Sequence, residues 1–506
     1  MIDPIQISIF FLITALIGFL TYLHCRKAAT GGRSDGHDYF LANGALKWYF
    51  VAGSITLTNL STDQLVSMNG SQMLLIAWWE LAAVFGLLVL TFVFLPIYYR
   101  NNCTTTTELL QKKYNDKNIR ALISVLFLLG NIFIFLPAVL YGGSLFLKSL
   151  AGIDFSAALG ERLFVGSSLE VDSTIFVMAI IFALVGAAYA ILGGLRAVAV
   201  SDTYSGVLIL GLALLVAFLA LKEIGFDLSG IPKERLSLIG KEGMFGDVEI
   251  TPIPWHTLLT GMIFIQVFYW STNQTITQRA MAAPDVKEAQ KGVMVAAAIR
   301  LLIIPVIVTV PGIVAYKLFG DVNDVAYGRI VDHVLPTWLS GAFAAAIAAA
   351  VLTSFNSILN ASAALYVCDI HESYIAKPRS IARLSGLVSA SMTILAILIV
   401  PFFAAQESII NTVQKLYGLL SMPILSAFIV GLVFKNIDAR AAIIGVVSGV
   451  IFYATFIFKW QGELAAKGTL FHEIHAMAIT LFICVGMALL ANLVIFRTKP
   501  ELAITR

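Results

Sequence analysis

The chain has 506 residues, of which 59% are hydrophobic and 12% charged, with a formal net charge of +3. Soluble domains carry about a quarter charged residues, so this composition excludes a soluble enzyme or binding module. The small positive balance contains no Lys/Arg block of the kind that holds nucleic acid.

A bilayer core takes about 20 apolar residues per helical crossing. Runs of that length fall at 5–24, 48–66, 74–98, 121–147, 173–193, 198–221, 256–277, 293–316, 335–366, 381–402, 411–434, 440–458 and 475–496. They do not alternate as barrel strands do. The chain therefore reads as an all-α polytopic membrane protein with about 13 transmembrane helices. The first run lacks a basic leading segment and a small-residue cleavage site, so it reads as a retained helix. The four cysteines, Cys25, Cys103, Cys368 and Cys484, fall on inner loops or inside a helix, which gives no disulfide framework.

With the amino terminus outside, the inner loops hold 21 Lys and Arg and the outer loops hold 10, leaving Arg300 and Lys415 inside helices. That bias sets a cytoplasmic carboxyl terminus and a cell-membrane location.

The second run carries "SITLTNLSTDQLVSMNG" (54–70), dense in hydroxyls and amides. Polarity at membrane depth survives only against protein or water. Two readings stand: an interrupted helix whose freed carbonyls hold a cation, or a seam glued by Ser and Thr. Glu80 in "LLIAWWELAAVFG" is an intramembrane charge, functional by default unless it snorkels to the interface. The loop "RNNCTTTTELLQKKYNDKNIR" (100–120) has a Thr run with Glu three residues on, a helix cap. Loop 222–255 is too short for a domain and is expected to hold a short amphipathic helix.

"QVFYWSTNQTITQR" (266–279) combines amides with aromatics, a set that suits a neutral hydroxylated ligand. Arg300, nearer the inner end of its helix, is the second intramembrane charge, functional by default unless it too snorkels to the interface. "FAAAIAAAVLTSFNSILNASAALY" (343–366) turns from an Ala-rich face to Thr353 and Ser354, either a packing face or hydroxyls for a hard monovalent cation. Gln414 and Lys415 open "NTVQKLYGLL", where Lys415 is placed to snorkel. There is no metalloprotease, Walker or nucleophile-elbow motif, so no catalytic site and no ATP-driven pump is indicated.

After the first helix, five crossings (48–221) precede five more (255–434). An odd number per half reverses the second half, the arithmetic of an inverted repeat in secondary transporters. A trailing segment, 440–496, completes a single transporter domain.

The stretches "DYFLANGALKWYFVAGSITLTNLSTDQLVSMNGS" (38–71), "YAILGGLRAVAVSD" (189–202), "FYWSTNQTITQRAMAAPDVKEAQKG" (268–292) and "AAAVLTSFNSILNASAALYVCDI" (348–370) resemble the sodium:solute symporter family, in its sodium/glucose cotransporter branch. The resemblance implies a LeuT-like fold of two inverted five-helix repeats. It implies a sodium site from the carbonyls of Leu57, Leu60 and Ala350 with the hydroxyls of Thr353 and Ser354. It places Asp202 on the sodium exit path, the plain alternative being a helix N-cap. It puts Gln64, Glu80 and Gln414 on solute-contacting positions and Tyr269 as the aromatic that closes the solute from the cytoplasm. It also puts Gln266 and Arg300 on solute-contacting positions, where they depart from the pattern by replacing an Asn and a Lys; further departures are Ala83 for a small polar residue and one helix fewer than the sodium/galactose relatives. The implied function is Na+-driven uptake of a small neutral solute, a sugar or polyol. The alternatives are symport of an amino acid or carboxylate, a proton-coupled carrier, and a membrane sensor on the same fold.

Overall fold

The computed structural model describes residues 4–26, 39–60, 62–151, 154–240, 253–406, 409–467 and 471–503. Eleven helices among them are long and apolar enough to cross a bilayer. In chain order the crossings are α1 (Pro4–Arg26), the half-helices α2 (Trp48–Asn59) and α3 (Thr62–Gly70), α4 (Leu74–Arg100), α5 (Lys117–Lys148), α6 (Ser173–Ile191) and α7 (Leu195–Glu223). There follow the half-helices α8 (Gly261–Val267) and α9 (Gln274–Met281), then α10 (Val286–Phe319), α11 (Thr337–Tyr374), α12 (Ile381–Ala404), α13 (Ile409–Val433), α14 (Ala439–Leu464) and α15 (Glu473–Val494). Two interrupted crossings added to eleven continuous ones make thirteen, as the hydropathy spacing predicts. The interrupted pair opens each run of five.

The two breaks have different local causes. In α2 the helix ends at Asn59, and Leu60 swings to φ −76°, ψ 65° while its N–H still reaches Thr56 O at 3.0 Å. The last carbonyls of such a helix have no intrahelical donor. In the second crossing, α8 widens into a π turn at Phe268–Thr272, and Asn273 turns extended at φ −70°, ψ 122°. Its side chain then caps α9 by accepting from Thr275 N at 2.9 Å. Tyr98 Oη satisfies Ser271 O there by donating to it at 2.9 Å, and Ser271 Oγ ties the turn to α4 by donating to Gly86 O at 3.0 Å. Only glycine fits at position 86, since a Cβ would lie 2.4 Å from Gln266 O.

Pro311 shows the same logic inside a continuous helix. It has no N–H to give Ile307 O, four residues earlier. The Asn69 amide on α3 donates to that carbonyl at 3.1 Å and accepts from Gly312 N at 2.8 Å. A half-helix is thereby pinned to α10 by the bond that the proline leaves open.

The Thr run caps the short helix Thr106–Tyr114 as expected, with Glu108 N donating to Thr105 Oγ1 and Thr104 N to Glu108 Oε2. Arg120, counted with the loop cations, is 9% exposed because it pairs with Asp369 at the end of α11 at 2.6 Å. The expected amphipathic helix in loop 222–255 is not found in its described part, which forms turns over 224–240 and a 3-10 turn at Trp255–Leu259; residues 241–252 lie outside the described residues. Cys103, Cys368 and Cys484 are free thiols; the Cys25 side chain lies outside the description.

Candidate functional site

A cavity of about 160 Å³ lies where both breaks meet α4, α5, α11 and α13. That volume holds on the order of ten waters, the heavy-atom count of a monosaccharide or an amino acid. The first break lines it with Thr58, Asn59 and Gln64, and the second with Gln266, Tyr269 and Asn273. Glu80 enters from α4, Asn131 from α5, Ser354 from α11, and Gln414 and Tyr417 from α13.

Glu80 is 1% exposed and does not snorkel. One carboxylate oxygen accepts from Gln64 Nε2 and the other is paired with Arg300 Nη1. Arg300 does not reach the cavity wall. It stands one layer behind, donating to Thr56 O at 3.4 Å with its guanidinium 4.4 Å over the Trp270 ring. Asn59, in the amide orientation that satisfies its neighbours, accepts from Arg300 Nη2 at 2.7 Å and donates to Tyr269 Oη at 2.6 Å. Trp270 Nε1 donates to Gln266 Oε1 at 3.0 Å, and Gln266 Nε2 donates to Trp79 O at the same distance. Buried ion pairs need such extra partners to offset desolvation. Gln64, Glu80, Gln266, Tyr269 and Gln414 thus all belong to the cavity wall, with Arg300 holding Glu80 from behind. Ala83 is buried and off that wall. Lys415, by contrast, is exposed.

Beside the cavity, α11 packs on the end of α2. Ser354 Oγ approaches Thr58 O at 3.5 Å, so the stretch holding Leu57 and Leu60 adjoins the stretch holding Ala350, Thr353 and Ser354. All five are buried, at 4% exposure or less.

Asp202 is fully buried in the middle of a helical run from Ser173 to Glu223, so it caps no helix. Its Oδ2 accepts from Ser54 Oγ at 2.6 Å, and the Thr58 and Thr353 hydroxyls lie close to it without forming well-shaped hydrogen bonds. Facing it is Arg279, which was counted among the loop cations. The structure buries it completely within α9, 3.7 Å from Asp202, with bonds to Ser54 Oγ at 2.7 Å, to Ser357 Oγ and to Thr275 O. Sequence reasoning missed it because α9 continues past the apolar run; "STNQ", a cap signal inside a crossing, was the available clue.

The architecture is that of a secondary transporter: two broken helices meet at a chamber set among membrane-length helices, with amides, hydroxyls and one carboxylate in its lining. The sequence profile of the sodium:solute symporter family matches residues 39–449. The chain is 31% identical over 98% of its length, and 85% of the other, to the uncharacterized symporter YidK of Escherichia coli (strain K12). It is 30% identical to the sodium/glucose cotransporter of Vibrio parahaemolyticus over 83% of this chain and 79% of that one. In fold it is similar to a substrate-bound, outward-open Na+-coupled sialic acid symporter, with a TM-score of 0.77, 18% identity and 97% of both chains covered. A second likeness is to MhsT in complex with L-phenylalanine, with a TM-score of 0.52, 15% identity, and 90% and 98% covered.

The chain belongs to the sodium:solute symporter family. It is a multi-pass membrane transporter of LeuT-like fold with Na+ as coupling ion, and not an enzyme.

Proposed function

We propose that this symporter imports a small neutral polyhydroxylated solute, a sugar or polyol, across the cell membrane by alternating access. The observation that carries the reading is the charge state of the cavity wall. Glu80 is the one charged side chain among the described lining residues, and Arg300 neutralises it from behind. The remaining polar lining is amide and hydroxyl, with Tyr269, Trp270 and Tyr417 as aromatic faces. Amides and hydroxyls read sugar hydroxyls directionally, and aromatic faces take the CH side of the ring. An anionic solute would meet no free cation there. The likeness to sodium/glucose and sodium/myo-inositol cotransporters supports the same solute class.

The coupling ion is assigned to the Leu57, Leu60 and Ala350 carbonyls with the Thr353 and Ser354 hydroxyls, and leaves past Asp202. The repeats run over 48–221 and 255–434, with the amino terminus outside and the carboxyl terminus cytoplasmic. One charge crossing about 100 mV yields ~2.3 kcal/mol. A tenfold sodium gradient adds ~1.4 kcal/mol, enough together to concentrate a neutral solute several hundred-fold. The test is counterflow in proteoliposomes with hexoses, pentoses, inositols, amino acids and carboxylates, with and without sodium. Sodium-dependent exchange of hydroxylated solutes is expected. Exchange of amino acids or anions alone rejects the reading, and protonophore-sensitive uptake without sodium rejects the ion assignment.

A further inference from the structure

We infer that Glu473 is a positioning residue for the transported solute: from a helix outside the five-plus-five core, it fixes which end of the Gln414 amide is left for the cavity.

Gln414 lines the cavity from α13 and is 3% exposed. Its Nε2 donates to Glu473 Oε1 at 2.8 Å. A carboxylate only accepts, so the NH2 end of the amide is turned toward α15, with one N–H spent on it, and the carbonyl end is released. That carbonyl, Oε1, is buried and has no hydrogen-bond partner among the described residues. A buried orphan acceptor carries a desolvation penalty, which a donor arriving from the cavity removes.

Glu473 is itself held. Its second oxygen accepts from Gln461 Nε2 on α14 at 3.3 Å, and the residue is 8% exposed. The start of α15 is wedged against the second broken crossing as well. His475 Nδ1 lies 2.8 Å from Thr260 Oγ1, and its Nε2 lies 2.7 Å from His256 Nδ1. The backbones touch at Gly261, where a Cβ would fall 1.9 Å from Ile474 O. Residues 473–475 therefore seat on the two elements that supply Gln266, Tyr269 and Gln414. The amide cannot flip without leaving the Glu473 carboxylate facing a second acceptor. On its α13 side the site thus presents a carbonyl acceptor to a hydrogen-bond donor from the solute. Resting on the proposed function, that donor is a hydroxyl of a sugar or polyol.

The experiment uses the purified full chain in proteoliposomes, with sodium-driven uptake of D-galactose, myo-inositol and L-proline measured in parallel. For any probe that the wild type takes up, Glu473→Ala is expected to raise the half-saturating solute concentration about fivefold or more. Maximal rate and sodium half-saturation stay within about twofold. Glu473→Gln, whose carbonyl still accepts from Gln414, restores most of the solute affinity. Gln414→Ala alone weakens uptake as much as Glu473→Ala, and combining the two adds nothing. Additive effects in the double variant overturn the inference. So does a Glu473→Ala protein that loses maximal rate and heat resistance while its half-saturation stays unchanged, since that marks a strut only. Uptake of L-proline in place of the two hydroxylated probes rejects the solute class, while the Glu473 comparison is then made on proline.

Discussion

Arg279 Nη2 lies 3.7 Å from Asp202 Oδ2 with neither side chain reachable by water, and the Ser54 hydroxyl bridges them. Removing one partner of such a pair strands a buried charge, which costs about 3–5 kcal/mol. Asp202→Ala or Arg279→Ala is therefore expected to lower the unfolding temperature of the solubilised protein sharply. The neutral pair Asp202→Asn with Arg279→Gln is expected to recover much of the loss. A thermal melt that ranks the double variant below both singles contradicts the pairing.

Thr353 and Ser354 stand one helical turn beyond Ala350, against the end of α2 where Ser354 Oγ approaches Thr58 O at 3.5 Å. Replacing both with Ala removes two oxygens from the assigned ion position and little packing volume. The sodium concentration for half-maximal uptake is expected to rise about tenfold or more, with abundance in the membrane nearly unchanged. An unaltered sodium dependence rules out that position.

These two clusters also show where sequence reading works and where it stops. The polar stretches at 54–70 and 343–366 stood out because hydroxyls at membrane depth need a structural reason, and Leu60 is indeed where the first helix breaks. The break at Asn273 was not anticipated, since its π turn and extended residue are masked by the aromatic run "FYW". Hydropathy likewise placed Arg279 in a loop, because a guanidinium that finds Asp202 and Ser357 is stable where a lone cation is not. Glu80 and Arg300 were both visible as intramembrane charges. Their pairing across 220 residues was not, and it moves Arg300 off the wall that the resemblance assigned it to. The Gln414–Glu473 bond spans 59 residues and joins a core helix to a trailing one, a contact that no local pattern encodes.

Arg300 reaches Glu80, Thr56 and Asn59 at once, whereas Glu80 alone of the ion pair touches the cavity. Glu80→Gln should keep the shape of the wall while weakening solute half-saturation by about ten- to a hundredfold, the worth of a charged hydrogen bond. Arg300→Gln leaves the Glu80 charge uncompensated and should damage uptake at least as much without itself contacting solute. Because the two act as one unit, a double-mutant cycle should return a coupling of about 0.5–3 kcal/mol. Coupling near zero places Arg300 outside the site altogether.

Asp324 lies in the turn Asn323–Val325, between the end of α3 and the start of α13. A Cβ at Gly70 would come within 2.6 Å of Asp324 Oδ1, while Oδ2 accepts from Ile409 N at 3.4 Å. Burial in this seam pushes the carboxyl up from 3.8 to about 6, with the Ile409 N–H opposing the shift, and Tyr141 on α5 faces the same group. The folded protein thus holds a proton at pH values where the unfolded chain has released it. The stability this confers is complete below the unfolded value of 3.8 and is lost as pH rises through about 6. Acidifying from about pH 7.5 to about pH 5 is therefore expected to tighten the docking of this turn and of the adjoining helix Ala326–Val334. Amide hydrogen exchange there, corrected for the intrinsic rate, should slow in the wild type. Asp324→Asn, neutral at every pH, should show slow exchange throughout. Equal protection at both pH values in the wild type would mean that the carboxyl does not govern the seam.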